Sequence, residues 1–367
     1  MSDPPKTRMV AGAMSGTSLD AIDAALVRIE GRGLEMQVEV VNTLSYPMRS
    51  LGKMLRPVTA QKRQTAEQVA KASMMLGLSH AVLLSKLIGS HPLDLVAVHG
   101  QTVYHEGAVS MQLINPHPIV RELGVPVVYD LRGADIAAGG HGAPITPLAD
   151  HILFRDDQET RAVVNLGGFA NFTWLPPSQR SGDAARSSIR GGDICACNQI
   201  LDAVARRAFR RKYDRDGSRA LKGEVDPEAR KILVGLLSAQ VEGSGSLGTG
   251  DELIDWVNMF RDEHSGEDLA RTGCSAIAQV ISGAVGEADR LILAGGGCYN
   301  RALVQEIAEQ SEATVCPSDD FAIPVQYREA IGMAVLGALC EDRVPITLPQ
   351  VTGCTEAPVA GAWVYPP

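Results

Sequence analysis

The sequence predicts an α/β protein of two lobes with a central cleft. Three observations carry that expectation. A chain of 367 residues, 45% of them apolar, is too long for one small core. Two β-hairpins far apart in the chain have tips built from Gly, Ser, Thr or Asn, one at 15–18 and one at Gly167 and Gly168. Short apolar strands repeatedly end in polar residues, the place where α/β folds put their binding sites.

Residues 10–13 read as a buried strand, 15–18 as a tight turn, and 22–29 as the strand that returns beside it. Residues 65–88 are rich in Ala, Leu and Met with Lys and Gln interspersed, which predicts a long helix. Residues 93–98 form a buried strand that ends at His99 and Gly100, and 125–129 another that ends at Asp130. The pattern strand, glycine tip, returning strand recurs over 162–174, a repeat of architecture rather than of residues that suggests a duplication. Residues 291–294, the glycines 295–297 and the amphipathic stretch 300–308 predict strand, turn and helix. Between these, 176–190 is a polar loop, and 242–251 is a Gly/Ser run suited to a flap or a linker. The domain boundaries expected from this layout are 1–134 with about 335–367 for the N-terminal lobe, and 135–334 for the C-terminal lobe.

A net charge of −9 and the lack of any long Lys/Arg run disfavour a nucleic-acid partner. The first apolar stretch is interrupted by Ser15, Gly16 and Asp20, and no run approaches the roughly 18 apolar residues of a membrane span, so neither export nor membrane insertion is expected. Seven cysteines at irregular spacing read as reduced thiols of a cytoplasmic protein. Cys195 and Cys197 are read as small apolar residues beside a turn rather than as metal ligands.

Several motifs can carry chemistry. The tip with Ser15, Gly16, Thr17 and Ser18 offers backbone N–H groups and hydroxyls to a phosphate, with Asp20 placed to hold a hydrated Mg²⁺, unless it is an ordinary hairpin turn. The second tip, from Asn165 through Gly167 and Gly168 to Asn171, strengthens the phosphate reading, because a nucleotide lying across a cleft needs two. Gly295, Gly296 and Gly297 either pass close to a nucleoside or serve helix packing. The run 295–297 is not the G-x-G-x-x-G fingerprint and lies late in the chain, which disfavours a Rossmann dehydrogenase, and no Walker A sequence is present. Asp193, read as directly preceding a helix with Ile200, Leu201 and Val204 on its apolar face, is either a general base or that helix's cap. His99, Gln101, Thr102, His105, Asp130, Arg132 and Asp135 suit a polyhydroxylated ligand, and the histidine spacing does not suit zinc.

Taken in order, Gly16 to Asp20, His99 to Thr102, Asp130 to Arg132 with Asp135 to Pro144, Asn165 to Gly168, and Gly295 to Gly297 with Asn300 resemble the anhydro-N-acetylmuramic acid kinases over most of the chain. The resemblance implies the actin/hexokinase-like (ribonuclease H-like) fold, ATP and Mg²⁺ as cofactors, a homodimer, and a place in peptidoglycan recycling. It implies a reaction in which water opens the 1,6-anhydro bridge and O6 receives the γ-phosphoryl group, giving N-acetylmuramic acid 6-phosphate. By this likeness Asp193 is the base, Thr102, Arg132 and Glu329 contact the sugar, and Gly16, Thr17, Ser18, Gly167, Gly168, Gly295, Gly296 and Gly297 line the nucleotide path.

The chain departs from the family's pattern at several places. Ile194, Cys195, Ala196 and Cys197 stand where Thr-Gly-Pro and a small residue are usual, His141 replaces a Gln, and Ile114 and Asn115 replace a Gly-Asp pair. The run 242–251 replaces a segment that usually contains Lys-Ser-Thr. These differences leave two alternatives: a kinase for a simpler anhydrosugar such as levoglucosan, or a non-catalytic sugar or nucleotide sensor on the same fold.

Overall fold

The structure, a computed structural model, describes residues 7–16, 18–177, 186–242 and 253–367, with only the backbone described at 241 and 242. The chain forms two compact units: Met1–Arg155 with Gln179–Ser187 and Gln326–Pro367, and Asp156–Ser178 with Ser188–Val325. The first unit starts with strands β1 (Thr7–Ser15), β2 (Ala21–Glu30) and β3 (Gln37–Pro47), followed by helices α1 (Arg49–Thr59) and α2 (Ala66–Ile88). Next come β4 (Leu95–Val98), the hairpin β5 (Gln101–Glu106) and β6 (Val109–Leu113), and α3 (His117–Leu123). β7 (Val127–Tyr129), α4 (Gly133–Ala137) and α5 (Pro147–Phe154) follow. The second unit holds β8 (Arg161–Leu166), β9 (Phe169–Leu175), β10 (Arg190–Ala196), α6 (Asn198–Phe209), α7 (Pro227–Glu242), α8 (Ile254–Phe260) and α9 (Gly266–Val285). It ends with β11 (Arg290–Ala294), α10 (Arg301–Gln310) and β12 (Thr314–Pro317). The chain then returns to the first unit with α11 (Arg328–Glu341), α12 (Pro349–Thr352) and β13 (Ala362–Val364).

Both units repeat one topology. The first unit's sheet runs β13-β7-β4-β1-β2-β3 and the second's β10-β9-β8-β11-β12. In each, the first strand is central, the second and third fold out antiparallel on one side, and the next two run parallel on the other. This 3-2-1-4-5 order is the ribonuclease H-like arrangement, present once per unit. The duplication inferred from the two hairpins is therefore real at the level of topology, and the β13 edge strand is added to the first copy alone. β1 is buried along nearly its whole length because it is covered on both faces, as a central strand must be.

Small residues decide how closely α11 approaches the first sheet. A Cβ on Gly12 would lie 2.1 Å from the Ala330 carbonyl oxygen, and one on Gly337 would lie 2.4 Å from the Ala97 Cβ. The helix thus rests directly on β1 and β4, which accounts for its Gly and Ala content. Arg8 at the start of β1 is buried and pairs with Glu341 and Asp342 at the helix's far end, both at 2.5 Å. α5 is fastened to the same helix by Asp150 and Arg328, a bidentate ion pair with both side chains buried. That pair holds α5 in the first unit, so the chain crosses over after Arg155, where the sequence reading places the change after 134. It returns at Gln326, where the sequence reading has about 335.

The helix expected over 65–88 begins with Thr65 as its N-cap. The Thr65 hydroxyl accepts from the Gln68 N–H at 3.2 Å, and the Gln68 side chain accepts from the Thr65 N–H at 2.8 Å, a reciprocal capping box. In the second unit, α9 is the central helix, started by Ser265 accepting from the Asp268 N–H at 3.0 Å. Trp256 fills the core beside it and donates its indole N–H to the Ala229 carbonyl at 2.9 Å, so its one polar atom is satisfied. Cys195 and Cys197 are fully buried in this core, and burial pushes the Cys195 thiol up to about 12. All seven cysteines are free thiols, and no cluster able to hold a metal ion occurs among the described residues. No helix among the described residues is long and apolar enough to cross a membrane.

Three buried histidines set an acid limit on this fold. Burial lowers His80 and His151 to about 4, and burial followed by the Arg132 charge lowers His99 to about 3, from an ordinary 6.5. Between pH 6.5 and these values the unfolded chain takes up protons that the folded chain refuses, so stability is full above 6.5 and falls as the pH drops toward 4. The melting temperature is expected to drop between pH 7 and pH 5, with a smaller drop in His80→Leu. Equal pH slopes for the two proteins would show that His80 does not contribute.

Candidate functional site

Each unit carries a group of candidate residues. In the first, β1 runs into the turn after Ser15. The Leu19 N–H bonds to the Gly16 carbonyl at 3.2 Å, and Leu19 takes a positive φ of 56° while its side chain stays buried. Gly52 of α1 packs so tightly on this turn that a Cβ there would lie 2.8 Å from the Leu19 carbonyl oxygen. Gly16, by contrast, borders open space, Ser18 and Asp20 are exposed, and the buried Ser15 hydroxyl has no hydrogen-bond partner among the described residues. An orphan hydroxyl below an open glycine fits a ligand rich in acceptor oxygens, such as a phosphate chain. Thr17 lies outside the described residues.

Thr102, Arg132 and Glu329 also belong to the first unit. Thr102 is on β5, in the two-stranded hairpin that the sequence reading took only as a polar cluster, opposite Gln112. Arg132 is the residue before α4, and its Nε donates to His99 Nε2 at 2.9 Å. Because His99 Nε2 accepts, the ring proton is on Nδ1, which donates to the Gly100 carbonyl at 3.1 Å. With its value lowered to about 3, His99 stays neutral and remains an acceptor for Arg132 throughout the working pH range. His105, whose Nδ1 pairs with the Ser110 hydroxyl at 2.9 Å, is lowered by burial and then by the charges of Arg132 and His141. Asp135 is fully buried and already engaged, accepting from the Thr352 hydroxyl and the Gly142 N–H, both at 2.8 Å. It shapes the glycine/proline turn and is not available to a ligand, contrary to the sequence reading.

Glu329 lies half-buried in the first turn of α11. That turn is anchored on both sides. Arg328 is bound to Asp150, and Gln326 donates to Asp23 at 3.1 Å and to the Ser45 hydroxyl at 2.8 Å. Ser45 in turn donates to Asp23, and the Tyr327 hydroxyl lies 3.3 Å from the Ser45 oxygen. Burial pushes the Asp23 carboxyl up, against the lowering effect of its bonds from Ser45 and Gln326. Asp23 was missed from sequence because it sits mid-strand, and its partners lie 22 and 303 residues away in the chain.

In the second unit, Gly167 and Gly168 form the two-residue tip between β8 and β9. The tip carbonyls accept from the start of α6: Cys197 and Gln199 N–H to Gly168 at 2.8 and 3.2 Å, and Asn198 N–H to Gly167 at 3.1 Å. The Asn198 side chain adds a bond to the Leu166 carbonyl at 2.9 Å. The helix thereby holds the tip in place. The run 295–297 splits by role. A Cβ on Gly295, at φ 85°, would lie 2.6 Å from Asn165 Oδ1, and one on Gly297 would lie 2.6 Å from the Leu166 Cβ, so both are packing glycines against β8. Gly296 has open space around it and is the one of the three that a ligand can approach. Gly296–Tyr299 make a single 3-10 turn, and Asn300 caps α10 by accepting from the Leu303 N–H at 3.2 Å.

Asp193 differs from its expected placement. It lies inside strand β10, opposite Asn171, and the register shifts between Asp193 and Cys195. The N-cap of α6 is Cys197, so Asp193 does not cap the helix. Gly191 and Gly192 look like a turn in the sequence but continue the strand, pairing with Thr173 and Phe172. A bulge re-aims the side chain beside it and is common at active sites. It leaves Asp193 half-buried at the strand's irregularity while Ile194, Cys195 and Ala196 go into the core. The second unit thus sets a carboxylate, an open glycine and a fixed hairpin tip on one sheet.

A family model described as anhydro-N-acetylmuramic acid kinase matches residues 8–366. The chain belongs to the anhydro-N-acetylmuramic acid kinase family. A relative of that description from Salinibacter ruber is 32% identical, covering 98% of this chain and 96% of the relative. Another, from Bacillus cereus, is 31% identical over 97% of this chain and 99% of its own length. Among solved structures, the activator of 2-hydroxyisocaproyl-CoA dehydratase from Clostridium difficile gives a TM-score of 0.43 at 13% identity, covering 90% of this chain and 94% of that one. A ROK family glucokinase from Streptomyces griseus gives 0.41 at 14%, covering 90% and 99%. Likenesses this slight do not bear on function; membership in the kinase family rests on the sequence matches.

Proposed function

We propose that this kinase opens 1,6-anhydro-N-acetylmuramic acid with water and phosphorylates O6 from ATP, giving N-acetylmuramic acid 6-phosphate for peptidoglycan recycling. The observation that carries the proposal is the family match over residues 8–366, joined to an Asp193 that sits at a strand bulge rather than capping a helix. Asp193 takes a proton from a water whose oxygen bonds to the anomeric carbon. The bond from that carbon to O6 breaks, and O6 bonds to the γ-phosphorus as ADP leaves. Thr102, Arg132 and Glu329 hold the sugar. Arg132 is kept in orientation by His99, and Glu329 by the anchored first turn of α11. The Ser15–Gly16–Ser18 turn, the Gly167–Gly168 tip and Gly296 serve the nucleotide, with Gly295 and Gly297 supporting Gly296. Mg²⁺, when bound, neutralises phosphate charge, and the exposed Asp20 would hold it through water. The enzyme acts in the cytoplasm as a homodimer.

The test is ADP release with ATP and Mg²⁺ on three sugars: anhydro-N-acetylmuramic acid, levoglucosan and N-acetylmuramic acid. Turnover is expected on the first alone. Preference for levoglucosan would replace the substrate while keeping the kinase, and tight binding with silence on all three would make the protein a sensor.

A further inference from the structure

Between Ala21 and Val27, strand β2 carries a single charged side chain, Asp23. Burial works against that charge, and the bonds from Ser45 and Gln326 only partly offset it, so the carboxyl is pushed up from the ordinary carboxylate range. An apolar residue at this strand position would carry no such cost, so the stability of the sheet does not account for a carboxylate here. Its bonds run instead to the first turn of α11, which holds Glu329.

We propose that Asp23 is a positioning residue for the sugar, clamping the entry of α11 onto β2 and β3 and so setting where Glu329 meets the substrate; the proposal rests on the reading above in which Glu329 contacts the sugar. Asp23 and Ser45 lie directly opposite each other in the sheet, so two paired strands present the clamp together. Asp23 Oδ1 accepts from the Ser45 hydroxyl and from the Gln326 amide at 3.1 Å, and the same amide nitrogen lies 2.8 Å from the Ser45 oxygen, which closes a ring of three side chains. The next residue, Tyr327, is the N-cap of α11 and makes no side-chain cap bond, so the entry of the helix is held by the clamp rather than by its own cap. On the other side, Arg328 is bound to Asp150. One anchor leaves a helix turn free to pivot, whereas anchors at 326 and 328 fix the direction of the side chain at 329. That direction matters, because a misplacement of about 1 Å in a substrate-holding group can cost on the order of 100-fold in rate. Asp23 also lies opposite Met14, the residue before Ser15 of the phosphate-side turn. A role through that turn would show on ATP instead of on the sugar.

The experiment is ADP release from ATP and anhydro-N-acetylmuramic acid, each varied in turn, for wild type, Asp23→Ala, Asp23→Asn, Gln326→Ala and the double variant Asp23→Ala with Gln326→Ala, beside thermal melts. Asp23→Ala and Gln326→Ala are each expected to raise KM for the sugar about 10-fold and to leave KM for ATP within about twofold. The double variant is expected to be no worse than Asp23→Ala, because both changes open the same clamp. Asn at position 23 keeps the Oδ1 acceptor and is expected to restore most of the sugar affinity. Gln326 is exposed, so Gln326→Ala carries the test even if Asp23→Ala fails to fold. An unchanged KM for the sugar in Gln326→Ala, or equal rises in KM for sugar and ATP, would overturn the proposal while leaving the kinase reading intact. A wild type silent on this sugar would overturn the proposed function and this proposal together.

Discussion

Asp193→Asn is expected to lower turnover by about 10²-fold or more while leaving ATP affinity nearly unchanged. Asn fills the same space and keeps hydrogen-bonding capacity at the β10 bulge, but it cannot take a proton from water. The structure sharpens the test. Asp193 does not cap α6, whose cap is Cys197 and whose first N–H groups are satisfied by the Gly167 and Gly168 carbonyls. A loss of turnover in Asp193→Asn therefore cannot come from an unravelled helix start. The melting temperature should accordingly stay within a degree or two, since the side chain is half-buried at an irregular point of the strand. Steady-state kinetics with both substrates, beside a thermal melt, separates the cases. Turnover close to wild type would remove Asp193 from the chemistry.

The largest effect on stability is expected at the Asp150–Arg328 pair. Both side chains are buried, and the guanidinium meets the carboxylate through Nε and Nη2. Asp150→Ala leaves a cation in the core without its carboxylate, at a cost of about 3–5 kcal/mol. For a unit of this size that lowers the melting temperature by on the order of 10 °C. Replacing both partners with apolar residues, as Asp150→Leu with Arg328→Met, should recover most of the loss, because the cost arises from the unpaired charge rather than from the missing attraction. Glu329 follows Arg328 in the first turn of α11, so Asp150→Ala should also weaken sugar binding more than ATP binding. A denaturant midpoint unchanged by Asp150→Ala would show that the pair does not hold α5 on α11.

What the sequence revealed and what it hid follow from the range of the interactions. The two hairpins, α2, and β11 with its glycine turn are local, each set by periodicity and punctuation within a short window, and each is legible in the sequence. The β5–β6 hairpin was not, because a two-stranded ribbon with one solvent face reads as a run of polar residues. β10 was hidden by Gly191 and Gly192, which pair within the sheet as ordinary strand residues. The crossover at Arg155 was invisible because it depends on a pair separated by 178 residues. At the site, the candidate residue types were readable, but their division of labour was not. Only the packed structure separates Gly296, which is open, from Gly295 and Gly297, which are filled by Asn165 and Leu166. Three of these expectations fall wholly or partly outside the described residues: Thr17, positions 178–185 of the polar loop expected over 176–190, and the Gly/Ser run from 243 onward.

The central claim is that water opens the ring while O6 takes the phosphoryl group, and one measurement addresses it directly. The enzyme is supplied with ATP, Mg²⁺ and anhydro-N-acetylmuramic acid in H₂¹⁸O, and the sugar product is fragmented in a mass spectrometer. The account predicts a product heavier by one phosphoryl group and one labelled water, with the label on the anomeric carbon and none in the phosphate. A phosphorylated sugar without the added water, or ¹⁸O found in phosphate released from ATP with the ring intact, would contradict it.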